Sequence, residues 1–163
     1  MTAESRISEL GIQLPSIASP QGLYRPIVVS RGMAFASGHG PIGDDGLLVR
    51  GRVGEDFDIE QAAALARRVA ISMLAGLRVE LGSLDRVTRV VKTLGLVQCI
   101  SDFQGHPAVI NGFSQLMADV FGSQRGIGAR SAFGAHALPG GMLLEIECIF
   151  EVDEFLPQVI PSD

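Results

Sequence analysis

The chain reads as an α+β protein: a mixed sheet with two main helices packed on one of its faces. Three observations point there. Two long segments carry apolar residues at helical spacing, Ala62, Ala66, Val69, Met73 and Leu77 in one and Ile110, Phe113, Met117 and Val120 in the other. The runs before, between and after them are short, apolar and bounded by turn residues. The last run, 142–152, alternates apolar and polar residues as a half-buried strand does.

Residues 4–11 are compatible with a short helix ended by Gly11, and Pro15, Pro20 and Gly22 keep the next stretch extended or turning. Residues 1–21 are therefore read as an N-terminal extension, and 22–163 as a single domain. Ile27 to Val29 and Met33 to Ser37 form two β-like runs joined by Ser30-Arg31-Gly32. Gly43-Asp44-Asp45-Gly46 is a further turn, leading to Leu47-Leu48-Val49. Asp58 caps the first long helix, Gln61 completes a capping box, and Gly82 stops it. Val87 to Ile100, apolar on both faces, belongs in the sheet interior. Pro107 suits the first position of the second helix, and Gly122 ends it. Ala129 to Leu138 then turns at Pro139-Gly140-Gly141 into Met142 to Val152. The order is β-β-(β)-α-β-α-β-β, with one sheet face left without helices. In a chain of 163 residues that face is a candidate for packing against another copy.

Composition narrows the function classes. Hydrophobic residues are 47% and charged residues 19%, an ordinary globular balance. A net charge of -5 does not attract phosphate backbones, which argues against sequence-independent nucleic-acid binding. No apolar run approaches the roughly 20 residues of a membrane helix. Met1-Thr2-Ala3-Glu4-Ser5-Arg6 lacks the features of a signal peptide, so a cytoplasmic protein is expected. Cys99 and Cys148 sit in strand-like runs and read as reduced core thiols. Neither paired cysteines nor clustered histidines suggest a metal site.

The last strand is the most informative segment. Met142, Leu144, Ile146, Cys148, Phe150 and Val152 share one face, which must meet the helices. The other carries Leu143, Glu145, Glu147, Ile149 and Glu151. That is either a solvated face or a partly buried oligomer face in which a carboxylate needs a partner, a proton or a water. If the Gly140-Gly141 turn makes a hairpin, Arg130 projects to the glutamate face near Glu151 or Ile149. Glu145 then lies on the order of 15 Å away. Sharing a site would require the two residues to meet across a subunit boundary.

Gly128-Ala129-Arg130-Ser131-Ala132, Leu138-Pro139 and Leu144-Glu145-Ile146-Glu147 together resemble the C-terminal signature of the RidA/YjgF (L-PSP) family. Tyr24-Arg25-Pro26, Ala36-Ser37-Gly38-His39, Phe103, Asn111 and Phe121-Gly122 resemble its other marks, so the likeness spans about residues 22 to 152. The N-terminal segment and the run from Val109 to Ser114 resemble a less-characterised subgroup. The resemblance implies a chorismate-mutase-like fold and a homotrimer with clefts between subunits. It implies deamination of enamine or imine intermediates bearing a carboxylate, without a cofactor.

On the matching positions, the resemblance implies that Arg130 anchors the substrate carboxylate through its planar fork and that Glu145 holds the hydrolytic water. It implies that the backbone carbonyl of Ala132 helps hold that water and that Tyr24, Asn111, Gly38 and His39 line the substrate. Two positions depart from the family pattern: Ala132 replaces a common cysteine, and His39 replaces a glutamine. His106 reads as a helix-start residue and His136 as strand surface. The competing readings are a trimer that binds a small carboxylate without turnover, an endoribonuclease, and a chorismate mutase. The acidic balance argues against the endoribonuclease. The mutase would need further cations, for which Arg25 and Arg125 are the candidates.

Overall fold

The computed structural model describes residues 1–17 and 22–153. Helix α1 (Ala3–Glu9) is followed by strands β1 (Ile27–Ser30) and β2 (Met33–His39), helix α2 (Ile59–Leu81), and strand β3 (Val87–Gln98). Helices α3 (His106–Phe121) and α4 (Ser123–Gly126) come next, then strands β4 (Ala129–Ala135) and β5 (Leu144–Val152). The five-stranded sheet has the order β1-β2-β5-β3-β4. Only β3 and β4 run parallel; the other neighbours are antiparallel. This is the expected α+β arrangement.

Local chemistry explains the helix limits. The Asp58 side chain accepts from the Gln61 N–H while Gln61 returns a bond to the Asp58 N–H, and Gly82 closes α2 at φ 80°. Pro107 opens α3, and Gly122 closes it. The β1–β2 connection is a two-residue turn, Arg31 at φ 49° and Gly32 at φ 71°, whose twist suits a hairpin. Buried residues of α2 and α3, among them Met73, Leu77, Phe113 and Met117, form one core with Ile146, Cys148 and Phe150 of β5. Residues 47–49 form no strand; only the isolated bridge Ile42–Leu48 marks the region. Helix α1 joins the same core through Ala3 and Ile7. Glu4 ties it down by pairing with Arg78 and by accepting from the Leu84 N–H at 3.0 Å.

The expected hairpin between the last two strands does not form. β3 lies between β4 and β5. The cause is the crossing segment after β4, which passes the end of β3 and is pinned there by Gln98. Its Oε1 accepts from the Leu138 N–H at 3.0 Å, its Nε2 donates to the Gly51 carbonyl at 3.0 Å, and its backbone N–H reaches Leu143 O at 2.9 Å. A buried polar side chain with every group bonded is a strong organiser of a crossing. Leu143, expected on the outward face, is fully buried just before β5 begins.

Candidate active site

The two sheet faces carry different chemistry. Opposed residues on neighbouring strands share a face, so Glu145 and Glu147 of β5 stand beside Leu96 and Leu94 of β3 on the face without helices. Val28, Phe35 and Phe133 are about half exposed there, at 45%, 44% and 50%. Lys92 reaches Ser131 Oγ at 2.7 Å on the same face. Val28, Phe35, Lys92, Leu94, Glu147 and Ile149 line a shallow cavity of about 270 Å³ there.

Glu145 is built against Gly38. A β-bulge between Ala36 and His39 brings the β2 backbone close to β5. A Cβ at position 38 would overlap Glu145 Oε1 and stand 2.7 Å from its carboxyl carbon. The carboxylate thus occupies the space that a side chain at position 38 would fill. Burial first, and the charge of Glu147 second, push the Glu145 carboxyl above its ordinary range. His39 is engaged locally: its Nδ1 lies 2.6 Å from the Ser37 carbonyl, and burial lowers its pKa despite that bond. Ser37 donates to the Arg25 carbonyl at 2.8 Å, fixing the approach to β1.

Arg130 occupies the other face. It lies beside Thr93, on the side of the sheet that meets the helices. The expectation that it shares the glutamate face is therefore corrected. Interposing β3 between β4 and β5 sets its orientation by parallel pairing to β3. Its Nη1 donates to Asn111 Oδ1 at 2.8 Å and to Ser114 Oγ at 3.1 Å. No acidic side chain among the described residues pairs with it. Ala132 follows two residues on, on the same side, beside Gly95.

The predicted residues thus fall into two groups. Arg130, Asn111 and Ala132 gather at the β4 edge, and Glu145 and Gly38 gather near the β2–β5 junction. Glu145 and Arg130 are two strands and three residues apart, about 14 Å by sheet geometry, and on opposite faces. Tyr24, half exposed before β1, lies toward the opposite edge of the sheet from Arg130. A wider concavity of about 440 Å³, at Val53, Asp58, Ile59 and Phe103, contains none of these residues. Ser114 is a further site residue, brought in by its bond from Arg130. Its signal is the spacing Asn111–Ser114, three residues apart on one helical face. Among the described residues, no group of His, Cys, Asp and Glu side chains is arranged to hold a metal ion, and no helix is long and apolar enough to cross a membrane.

A family model described as "YjgF/chorismate mutase-like, putative endoribonuclease" matches residues 4–150. Protein TCP17 of Trypanosoma cruzi is 34% identical over 149 residues, which cover 91% of this chain and 93% of that protein. The crystal structure of Atu1372 from Agrobacterium tumefaciens superposes with a TM-score of 0.83 at 36% identity, covering 93% of this chain and 92% of that one. A Shewanella oneidensis structure described as a "putative endoribonuclease" superposes with a TM-score of 0.87 at 25% identity, covering 93% of this chain and 100% of that one.

Proposed function

The chain belongs to the RidA/YjgF (L-PSP) family, and from that premise we propose that it hydrolyses small, reactive enamines or imines bearing a carboxylate, in clefts between the subunits of a homotrimer. The observation that carries the proposal is the state of Arg130. Two neutral acceptors fix one end of its guanidinium, and no carboxylate of the described residues neutralises it. A permanently charged, pre-oriented fork with unused N–H groups is suited to a ligand carboxylate.

In this reaction Arg130 binds the substrate carboxylate and Glu145 holds a water. The water's oxygen attacks the carbon of the protonated imine, which an enamine becomes on taking a proton at carbon, while Glu145 takes a water proton, giving a neutral carbinolamine. Glu145 returns that proton to nitrogen and takes the hydroxyl proton as the C–N bond breaks, releasing ammonia and the 2-oxo acid. The backbone carbonyl of Ala132 helps hold the water, and Tyr24 contributes at the rim. No cofactor enters the balance. Positioning supplies most of the acceleration, since such imines also hydrolyse in water. The separation of Arg130 from Glu145 within one chain supports a site made by two copies. So does the half-apolar face around Phe35 and Phe133.

A second reading, a trimer that binds small carboxylates without turnover, is favoured by one feature. The Arg130 pole is complete in a single chain, whereas Glu145 has no polar partner among the described residues. The deciding measurement is ammonia or 2-oxo acid release from imines generated in situ by an amino-acid oxidase. Acceleration by the wild type that is lost in both Arg130→Ala and Glu145→Gln supports hydrolysis. No acceleration, with 2-oxo acid binding that only Arg130→Ala removes, establishes the binding module instead.

A further inference from the structure

Parallel pairing with Thr93, Gly95 and Val97 puts Arg130, Ala132 and Gly134 on one side of β4, toward α3. The residues after Arg130 on this strip of an edge strand are small. At its far end stands a histidine that the proposed reaction does not use. The His106 Nε2 lies 3.4 Å from Cys99 Sγ, and its ring stacks edge-on against Phe103 at 5.0 Å and 81°. A Cβ at position 134 would come within 2.9 Å of His106 Nε2 and 3.1 Å of Cys99 Sγ. Glycine at that position therefore leaves the imidazole and thiol room beside the strand.

Burial raises the Cys99 thiol above its ordinary pKa, opposed by nearby Arg52, so at neutral pH it remains a thiol. An S–H donated to Nε2 leaves Nδ1 carrying the ring proton. That nitrogen has no partner among the described residues. Arg52, whose Nη1 donates to the Cys99 carbonyl at 3.0 Å, adds positive charge behind the pair.

The spacing along β4 sets a length. Gly134, whose Cβ direction meets His106 Nε2, follows Arg130 by four residues on the same face of β4. At strand rise that is about 13 Å between α-carbons. A two- or three-carbon acid on Arg130 falls short of the imidazole. A five-carbon 2-imino acid ending in a carboxylate or amide, about 7 Å between its terminal oxygens plus a hydrogen bond of about 2.8 Å at each end, spans it.

We propose that His106, backed by Cys99, is a second recognition pole, and that the preferred substrates are imino acids of glutamate or glutamine length whose terminal oxygen accepts a hydrogen bond from the imidazole. This rests on the assignment of Arg130 as the carboxylate anchor, but not on turnover.

The test uses stable 2-oxo acids with the full chain and calorimetric or NMR titration. The probes are pyruvate, 2-oxoglutarate and 2-oxohexanoate, the last matching length without a polar terminus. The wild type should bind 2-oxoglutarate about tenfold tighter than either other probe, the effect of one hydrogen bond to a charged group. His106→Phe keeps a ring against Phe103 and should erase that preference while leaving pyruvate binding unchanged. Gly134→Ala, which crowds the imidazole, should reduce it in the same direction. Arg130→Ala should weaken all three probes. Equal wild-type affinity for the three probes overturns the proposal, as does a His106→Phe loss that falls equally on pyruvate. Discrimination without any imine turnover upholds it and sinks only the hydrolytic reading.

Discussion

Gly38→Ala isolates the placement of the Glu145 carboxylate from its chemistry. Gly38 is not among the residues with positive φ, so the backbone accepts alanine. The added Cβ overlaps Glu145 Oε1 and stands 2.7 and 2.9 Å from Cδ and Cγ. All three contacts are to one flexible side chain, which must swing away. Holding a side chain off its preferred rotamer costs about 0.5–1.5 kcal/mol, and at this chain length that lowers Tm by about 2–5 °C. The carboxylate itself moves by an ångström or more, and misplacement of about 1 Å can cost on the order of 100-fold in rate. Thermal unfolding and imine turnover should therefore diverge, with a small loss of stability and a large loss of rate. A double-mutant cycle sharpens the test: Gly38→Ala should add little to Glu145→Gln, because both act through one carboxylate. Full activity in a folded Gly38→Ala variant would refute the assignment of Glu145 as the water holder. So would independent, additive losses.

The charges supply two further predictions. Burial and Glu147 both raise the Glu145 carboxyl. The acid limb of the rate profile should thus lie above the ordinary glutamate range, and Glu147→Gln should move it to lower pH without abolishing turnover. Glu4 is shifted the other way: the Arg78 hydrogen bond lowers its pKa from 4.5, with burial opposing. A depressed folded-state pKa gives stability that is present above the ordinary carboxylate range and is lost as pH falls through the folded value. Side-chain exposures of 30% and 40% for Glu4 and Arg78 limit the screened pair to about 1 kcal/mol. Glu4→Gln should lower Tm by about 2–4 °C at pH 7 and converge with the wild type in acid.

Both long helices are legible in the sequence because their signals are local: capping residues, stop glycines and apolar residues at helical spacing act within one segment. The alternation in β5 is legible for the same reason, and it identifies the core-facing set from Leu144 to Val152 correctly. What local pattern cannot carry is which strand pairs with which. Pro139-Gly140-Gly141 has the composition of a hairpin turn, but the segment before it is held by Gln98, 40 residues earlier, whose side chain accepts from the Leu138 N–H. That one tertiary hydrogen bond accompanies the insertion of β3, and the insertion places Arg130 on the helix side. The resemblance selects Arg130 and Glu145 as residues but carries no information on their faces. Ser114 and the Cys99–His106 pair escape notice for a related reason, since each acquires its role from a neighbour distant in sequence.

Arg130 and Glu145, on opposite faces and about 14 Å apart, cannot grip one small imino acid within a single chain. Hydrolysis by both residues therefore requires two copies, with Arg130 from one and Glu145 from the next. This leads to a result that no single variant can give. On the proposed trimer, Arg130→Ala and Glu145→Gln should each be inactive alone, because every cleft lacks one group. When the two variants are mixed, unfolded and refolded together, random assortment joins an intact Arg130 to an intact Glu145 in about one cleft in four. Mixed trimers should thus recover about a quarter of wild-type turnover, whereas mixing without exchange should recover none. A site completed within one chain predicts zero in both cases, since every subunit carries one lesion. Refolded mixtures that remain inactive while forming trimers by sedimentation would rule out the shared cleft and, with it, any joint role for Arg130 and Glu145.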